Sequence, residues 1–149
     1  MRIRSILSLA VSAVAVMALA TPAQAADDGI YRIRDARTGQ CLQGDYLESC
    51  DSYLALWEIR NQGDGTAQIS EFYGERRCLA LSPARTYPPL VFVAQCGSRP
   101  DRWAIQGQPG EGPVAIALER GELGYLTTQG NRPVVDPYGG PQWILERLG

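Results

Sequence analysis

From residue 29 to the C-terminus, apolar residues come in short stretches separated by polar and turn residues. Ile30-Tyr31-Arg32-Ile33, Leu90-Val91-Phe92-Val93, Val114-Ala115-Ile116-Ala117-Leu118 and Pro133-Val134-Val135 have strand length, with β-branched and aromatic content. Turn signals fall between such stretches at Thr38-Gly39, Asp64-Gly65, Tyr73-Gly74, Pro109-Gly110, Gly130-Asn131 and Gly139-Gly140. Helix signals are nearly absent. Short strands at regular spacing predict an all-β barrel or sandwich.

A second pattern lies over the first. The three tryptophans all stand in a Trp-x-Ile/Leu phrase: Trp57-Glu58-Ile59, Trp103-Ala104-Ile105 and Trp143-Ile144-Leu145. Seven residues earlier come Cys50, Cys96 and Asp136, and further upstream Cys41-Leu42, Cys78-Leu79 and Tyr125-Leu126. One unit therefore occurs three times, over about 29–61, 62–107 and 108–149, with the cysteines dropped from the last copy. Each copy offers about four short strands. The first strand holds Tyr31 and Ile33, Gln68 and Ile69, or Ala115 and Ile116. The second holds the Cys/Tyr-Leu pair, the third leads to Cys50, Cys96 or Asp136, and the fourth holds the Trp. One unit cannot bury its apolar face alone; three around a pseudo-threefold axis can, as a closed barrel with a hairpin cap.

The first 25 residues read differently. Arg2 and Arg4 precede an apolar run from Ile6 to Leu19, and Thr21-Pro22-Ala23-Gln24-Ala25 supplies an Ala-x-Ala arrangement. This is the pattern of a secretory signal peptide cut after Ala25, and the run is short for a bilayer span, which needs about 20 apolar residues. The expectation is a secreted, extracellular chain, one domain over 26–149, with no membrane attachment after cleavage. Four cysteines in an exported protein imply two disulfides with three connectivities; if each copy is a structural unit, Cys41 pairs with Cys50 and Cys78 with Cys96. No Cys-x-x-Cys pair suggests a metal site, and no cofactor is expected. All basic side chains are arginines, scattered along the chain, which is not the footprint of a nucleic-acid binder.

Cys78-Leu79-Ala80-Leu81, then Val91-Phe92-Val93-Ala94-Gln95-Cys96, then Asp101-Arg102-Trp103-Ala104-Ile105 resembles one repeat of the ricin-type β-trefoil family. Gln40-Cys41-Leu42, Glu48-Ser49-Cys50 and Leu56-Trp57-Glu58-Ile59 resemble a shorter version. Gly124-Tyr125-Leu126-Thr127 through Pro141-Gln142-Trp143-Ile144-Leu145 resembles a third. The resemblance covers essentially all of 26–149 and implies a β-trefoil with shallow sugar sites, at most one per copy. It also implies that the repeated Trp is a packing residue, and Leu42, Leu79 and Leu126 recur for the same reason.

A competent copy in that family places an Asp two residues after the first Cys, an aromatic platform after the third strand and polar amides before the Trp. Here the Asp position holds Gln43, Ala80 and Thr127, and the amide position holds Ala55, Asp101 and Pro141, with Gln142 one place out. Copy two is the poorest match. Two clusters still combine hydrogen-bonding groups with an aromatic ring: Gln43, Asp45, Asp51 and Tyr53 in copy one, and Asn131, Asp136, Tyr138 and Gln142 in copy three. Such groups suit a sugar, whose hydroxyls pair with carboxylates and amides and whose C–H face stacks on a ring. Asp51 and Asp136 also suit turns, and the two tyrosines also suit a barrel mouth.

These residues lead first to a non-catalytic carbohydrate-binding module whose partner is a carbohydrate or glycoconjugate. An alternative is a secreted inhibitor of a trypsin-like protease, with Arg85 offered by the proline-stiffened loop Ser82-Pro83-Ala84-Arg85-Thr86-Tyr87-Pro88-Pro89. Such a loop also suits an ordinary surface connection. The chain has no histidine and no lysine, so a nucleophile–His relay is excluded, and no phosphate-loop or metal-spacing motif is present. The expectation is a non-enzyme.

Overall fold

A computed structural model describes residues 26–149 and Val14, so the segment read as a signal peptide lies outside the described residues apart from that one. Twelve strands follow in order: β1 Gly29–Asp35, β2 Cys41–Gln43, β3 Tyr46–Glu48, β4 Leu56–Asn61, β5 Ala67–Glu71, β6 Cys78–Leu81, β7 Val91–Ala94, β8 Trp103–Gln106, β9 Ala115–Leu118, β10 Tyr125–Gln129, β11 Arg132–Asp136 and β12 Trp143–Arg147. Among the described residues the single helical turn is a 3₁₀ segment, Tyr53–Ala55, whose N-cap Ser52 accepts the Leu54 N–H. The sequence reading gave no hint of that turn; one capped turn is too short to show a helical period. Among the described residues no helix is long and apolar enough to cross a membrane.

The strands form three four-strand repeats, and the Trp strand is the hinge of each. Trp57 faces Tyr31 of its own first strand and Glu71 of the next repeat's first strand. Trp103 likewise faces Ala67 and Leu118. Trp143 faces Val114 and, across β12–β1, Asp35, which closes the sheet on itself. The six barrel strands each send two residues inward at period two: Tyr31 and Ile33, Trp57 and Ile59, Ala67 and Ile69, Trp103 and Ile105, Ile116 and Leu118, Trp143 and Leu145. The hairpins β2–β3, β6–β7 and β10–β11 cap one end, with Leu42, Leu79 and Leu126 fully buried beneath them. This is a β-trefoil, built on the predicted register.

The repeated Trp and Leu are joined as well as packed. The indole N–H of Trp57 donates to the Leu42 carbonyl at 2.8 Å, that of Trp103 to Leu79 at 2.8 Å and that of Trp143 to Leu126 at 2.9 Å. A buried indole keeps its polar handle satisfied only with such a partner. Each bond ties the barrel to the cap within one repeat. Disulfides Cys41–Cys50 and Cys78–Cys96 brace the first two caps in the expected pairing, and no cysteine is free. The cap hairpins also bind each other across repeats. Asn131 accepts the Leu47 N–H at 2.7 Å, Pro89 accepts the Val135 N–H at 2.9 Å, and Leu90 bridges to Val134.

Candidate functional site

The third repeat carries an open cleft of about 520 Å³ between its cap hairpin and the β11–β12 connection. Thr127, Thr128 and Gln142 make its polar floor. The Thr127 hydroxyl donates to Gln142 Oε1 at 2.6 Å, and Gln142 Nε2 donates to Thr128 Oγ1 at 3.2 Å. Thr128 in turn donates to Asp35 Oδ2 at 3.4 Å, joining the floor to the buried carboxylate at the end of β1. Gln142 is buried and spends both its polar atoms on these two hydroxyls, so it positions them and has little left for a ligand.

Asp136, the last residue of β11, stands on the cleft wall. Its Oδ1 accepts the Tyr138 N–H at 2.7 Å, an Asx turn that leaves Oδ2 without a donor among the described residues. Tyr138 and Tyr87, 94% and 85% exposed, both line the cleft, the latter reaching in from the β6–β7 loop of repeat 2 with Pro88. Exposure this high leaves the aromatic faces of both tyrosines available to a ligand. Arg37 comes from the β1–β2 turn of repeat 1 and donates through Nη2 to Thr128 Oγ1 at 2.6 Å.

Three of the four residues expected in this cluster, Asp136, Tyr138 and Gln142, therefore line one cleft. Asn131 does not line it: it occupies the β10–β11 turn and serves the contact to Leu47. Sequence reading missed Arg37 and Tyr87. The only available signal was cyclic: closing three units into a barrel sets repeat 1 beside repeat 3, so turn residues of one repeat wall the site of another.

A second cleft of about 550 Å³ lies between the β2–β3 hairpin and the β5–β6 turn. It takes Gln43 and Asp45 from the first cluster. Gln43 is buried; its Nε2 donates to the Tyr46 hydroxyl at 3.3 Å, and its Oε1 has no partner among the described residues. Across the cleft, Arg77 grips Glu71 through Nε at 2.9 Å and Nη2 at 3.4 Å. That hydrogen bond to Glu71 raises the Arg77 pKa above its ordinary value, against the opposing effect of burial. Asp51 and Tyr53 are outside the cleft lining. Asp51 accepts the Ser49 hydroxyl at 3.2 Å in an exposed turn, and Tyr53 packs edge-on against Tyr73 at 5.5 Å, the latter a cleft residue.

Repeat 2 has no counterpart of these polar floors. Ala80 is buried, and Asp101, also buried, accepts the Gly97 N–H at 2.7 Å and the Gln68 amide at 3.2 Å. Arg85 is exposed in a folded segment, where the Ala84 N–H bonds to Ser82 Oγ and the Thr86 N–H to the Ala84 carbonyl. The backbone therefore turns at Arg85.

The third-repeat cleft has a close backbone approach beside its wall. Gly124 adopts φ +108°, and a Cβ there would stand 2.9 Å from the Asp136 carbonyl carbon and 2.9 Å from Val135 Cγ1. Gly124→Ala is therefore expected to cost about 1–3 kcal/mol through backbone strain and to displace Asp136. Gly130→Ala, at φ +62° with open space around it, is the comparison and should cost less. Urea midpoints of the two variants check the order.

No family model and no curated protein matches the chain. Several solved structures share its fold. A designed threefold-symmetric protein, ThreeFoil, is 16% identical with a TM-score of 0.65, over 81% of this chain and all of its own. A ricin B-like lectin from Macrolepiota procera, in complex with lactose, is 13% identical with a TM-score of 0.62, over 84% and 99%. SeviL, bound to the asialo-GM1 saccharide, is 15% identical with a TM-score of 0.63, over 81% and 98%. At these identities the likeness establishes the β-trefoil fold. A protease partner for Arg85 gains no support from it.

Proposed function

We propose that this protein is a secreted, non-catalytic, lectin-like module whose main sugar site is the third-repeat cleft. One observation carries the reading: a carboxylate with an uncommitted oxygen, Asp136, and two exposed tyrosines, Tyr87 and Tyr138, converge on one cleft with a hydroxyl floor. A sugar ring needs that pairing of acceptor and aromatic face. The saccharide-bound neighbours of the same fold support a carbohydrate partner, and the two disulfides suit an extracellular setting. The first-repeat cleft, with Gln43 and Asp45, is a secondary site in this reading. Asp51, Tyr53 and Asn131 serve structure around the two.

A glycan array with purified residues 26–149, covering microbial and plant polysaccharides, is the direct test. Selective binding that free sugar competes away is expected. Asp136→Asn keeps the acceptor for the Tyr138 N–H and removes the charge, so it should weaken that binding about 10-fold or more without moving the urea midpoint. An array with no selective binder would overturn the proposal.

A further inference from the structure

We infer that Arg37 makes the third-repeat cleft select sugars that carry a carboxylate; this rests on reading the cleft as a sugar site. Arg37 and Asp136 are the charged residues that line it. They differ in how far each is already committed. Asp136 gives one oxygen to the Tyr138 N–H and keeps the other for hydroxyl donors. Arg37 has five N–H donors. Nη2 gives one proton to Thr128, and Nε faces Asp35 Oδ1 at 3.7 Å. The two Nη1 protons and the second Nη2 proton have no partner among the described residues.

Asp35 is the holder of this arginine and not a competitor for ligand. Its side chain is fully buried, while that of Arg37 is 59% exposed. The Asp35 carboxylate also takes the Arg37 backbone N–H at 2.9 Å, which fixes the turn that carries the guanidinium. A guanidinium held at its Thr128 side loses less freedom when it binds, and its free planar edge matches a carboxylate. A ligand answering both charged residues presents hydroxyls to Asp136 and an anion to Arg37. A neutral sugar leaves Arg37 solvated, and a cationic one meets it as a like charge.

The first-repeat cleft supplies an internal contrast. Its arginine, Arg77, is gripped by Glu71 through two bonds, lies 4.0 Å from Glu75, and shares the cleft with Asp45. Arg77 thus stands among three acids, and that cleft disfavours an anionic sugar, whereas Arg37 shares the lining of the third-repeat cleft with Asp136 as its one acid. The two clefts are of opposite preference, and the selectivity belongs to the one that Arg37 walls.

The experiment is titration calorimetry of the purified protein with uronate and sialate oligosaccharides, each paired with its carboxyl methyl ester. The esters keep the ring and hydroxyls and remove only the charge. The acid form is expected to bind at least 10-fold more tightly than its ester. In Arg37→Gln the ratio of the two affinities should collapse toward one, and Arg37→Lys should restore part of it. Equal affinity of acid and ester, or a preference that survives Arg37→Gln, would overturn the inference. Tight binding of neutral sugars without acid preference sinks this inference and leaves the lectin reading standing. Failure of every acid, ester and neutral sugar sinks both.

Discussion

Trp103→Ala is expected to destabilise the domain by about 3–5 kcal/mol, the usual cost of emptying a buried aromatic site. The indole is fully buried at the junction of barrel and cap, between β5 and β9, so three elements lose contact at once. Deleting it also strands the Leu79 carbonyl, which accepts the indole N–H at 2.8 Å. Trp103→Phe separates the two effects: it keeps most of the ring and removes the donor, so about 1–3 kcal/mol of the loss should remain. The equivalent changes at Trp57 and Trp143 should cost similar amounts, because each indole repeats the same bond and the same burial. Domains of this kind hold about 5–15 kcal/mol in all, so Trp103→Ala removes a large share. Urea unfolding followed by far-ultraviolet circular dichroism reads the shift; a loss below 1 kcal/mol would show that the Trp–Leu tie does not organise the repeat.

The same tie shows how far the residues alone could be read. The recurrence of Trp and Leu at matched spacing gave the repeat, the strand order within it and the disulfide pairing, because those features are local to one unit. The bond between indole and Leu carbonyl joins two strands of one unit, yet it leaves no trace in composition: any buried Trp needs some acceptor. Contacts between units were less legible still. Arg37 reaches Thr128 only because β12 pairs with β1 and brings the first and last repeats together. Tyr87 enters the third-repeat cleft because Pro89 and Leu90 pair with β11. Proximity along the chain misled in the opposite sense. Asp51 and Tyr53 follow Gln43 closely, yet neither lines its cleft; the 3₁₀ segment presents Leu54 to it instead. Gln142 sits one place from the expected amide position, and there it supports two threonines.

Removing the Cys78–Cys96 bridge is the second large effect. Its ends are 18 residues apart, against 9 for Cys41–Cys50, so loop-closure entropy predicts losses of about 3.2 and about 2.6 kcal/mol. Cys78 and Cys41 are both buried, so the replacements should be alanine, which leaves no unpaired hydroxyl in the core. The two bridges lie in different repeats and share no partner in the cap, so their losses should add, to about 6 kcal/mol. Each single-bridge variant should therefore stay folded with a lower midpoint, and the double variant should sit near the edge of stability. Access distinguishes the bridges further. Cys96 is exposed and lines a surface cleft with Arg76 and Arg77, whereas Cys50 is half-buried. Thiolate attack depends on reach to a sulfur, so graded reductant should open Cys78–Cys96 first. Alkylation and mass mapping should then find Cys78 and Cys96 labelled while Cys41 and Cys50 remain linked. Simultaneous labelling of all four would mean that opening either bridge unfolds the whole cap, and that the three repeats stand or fall together.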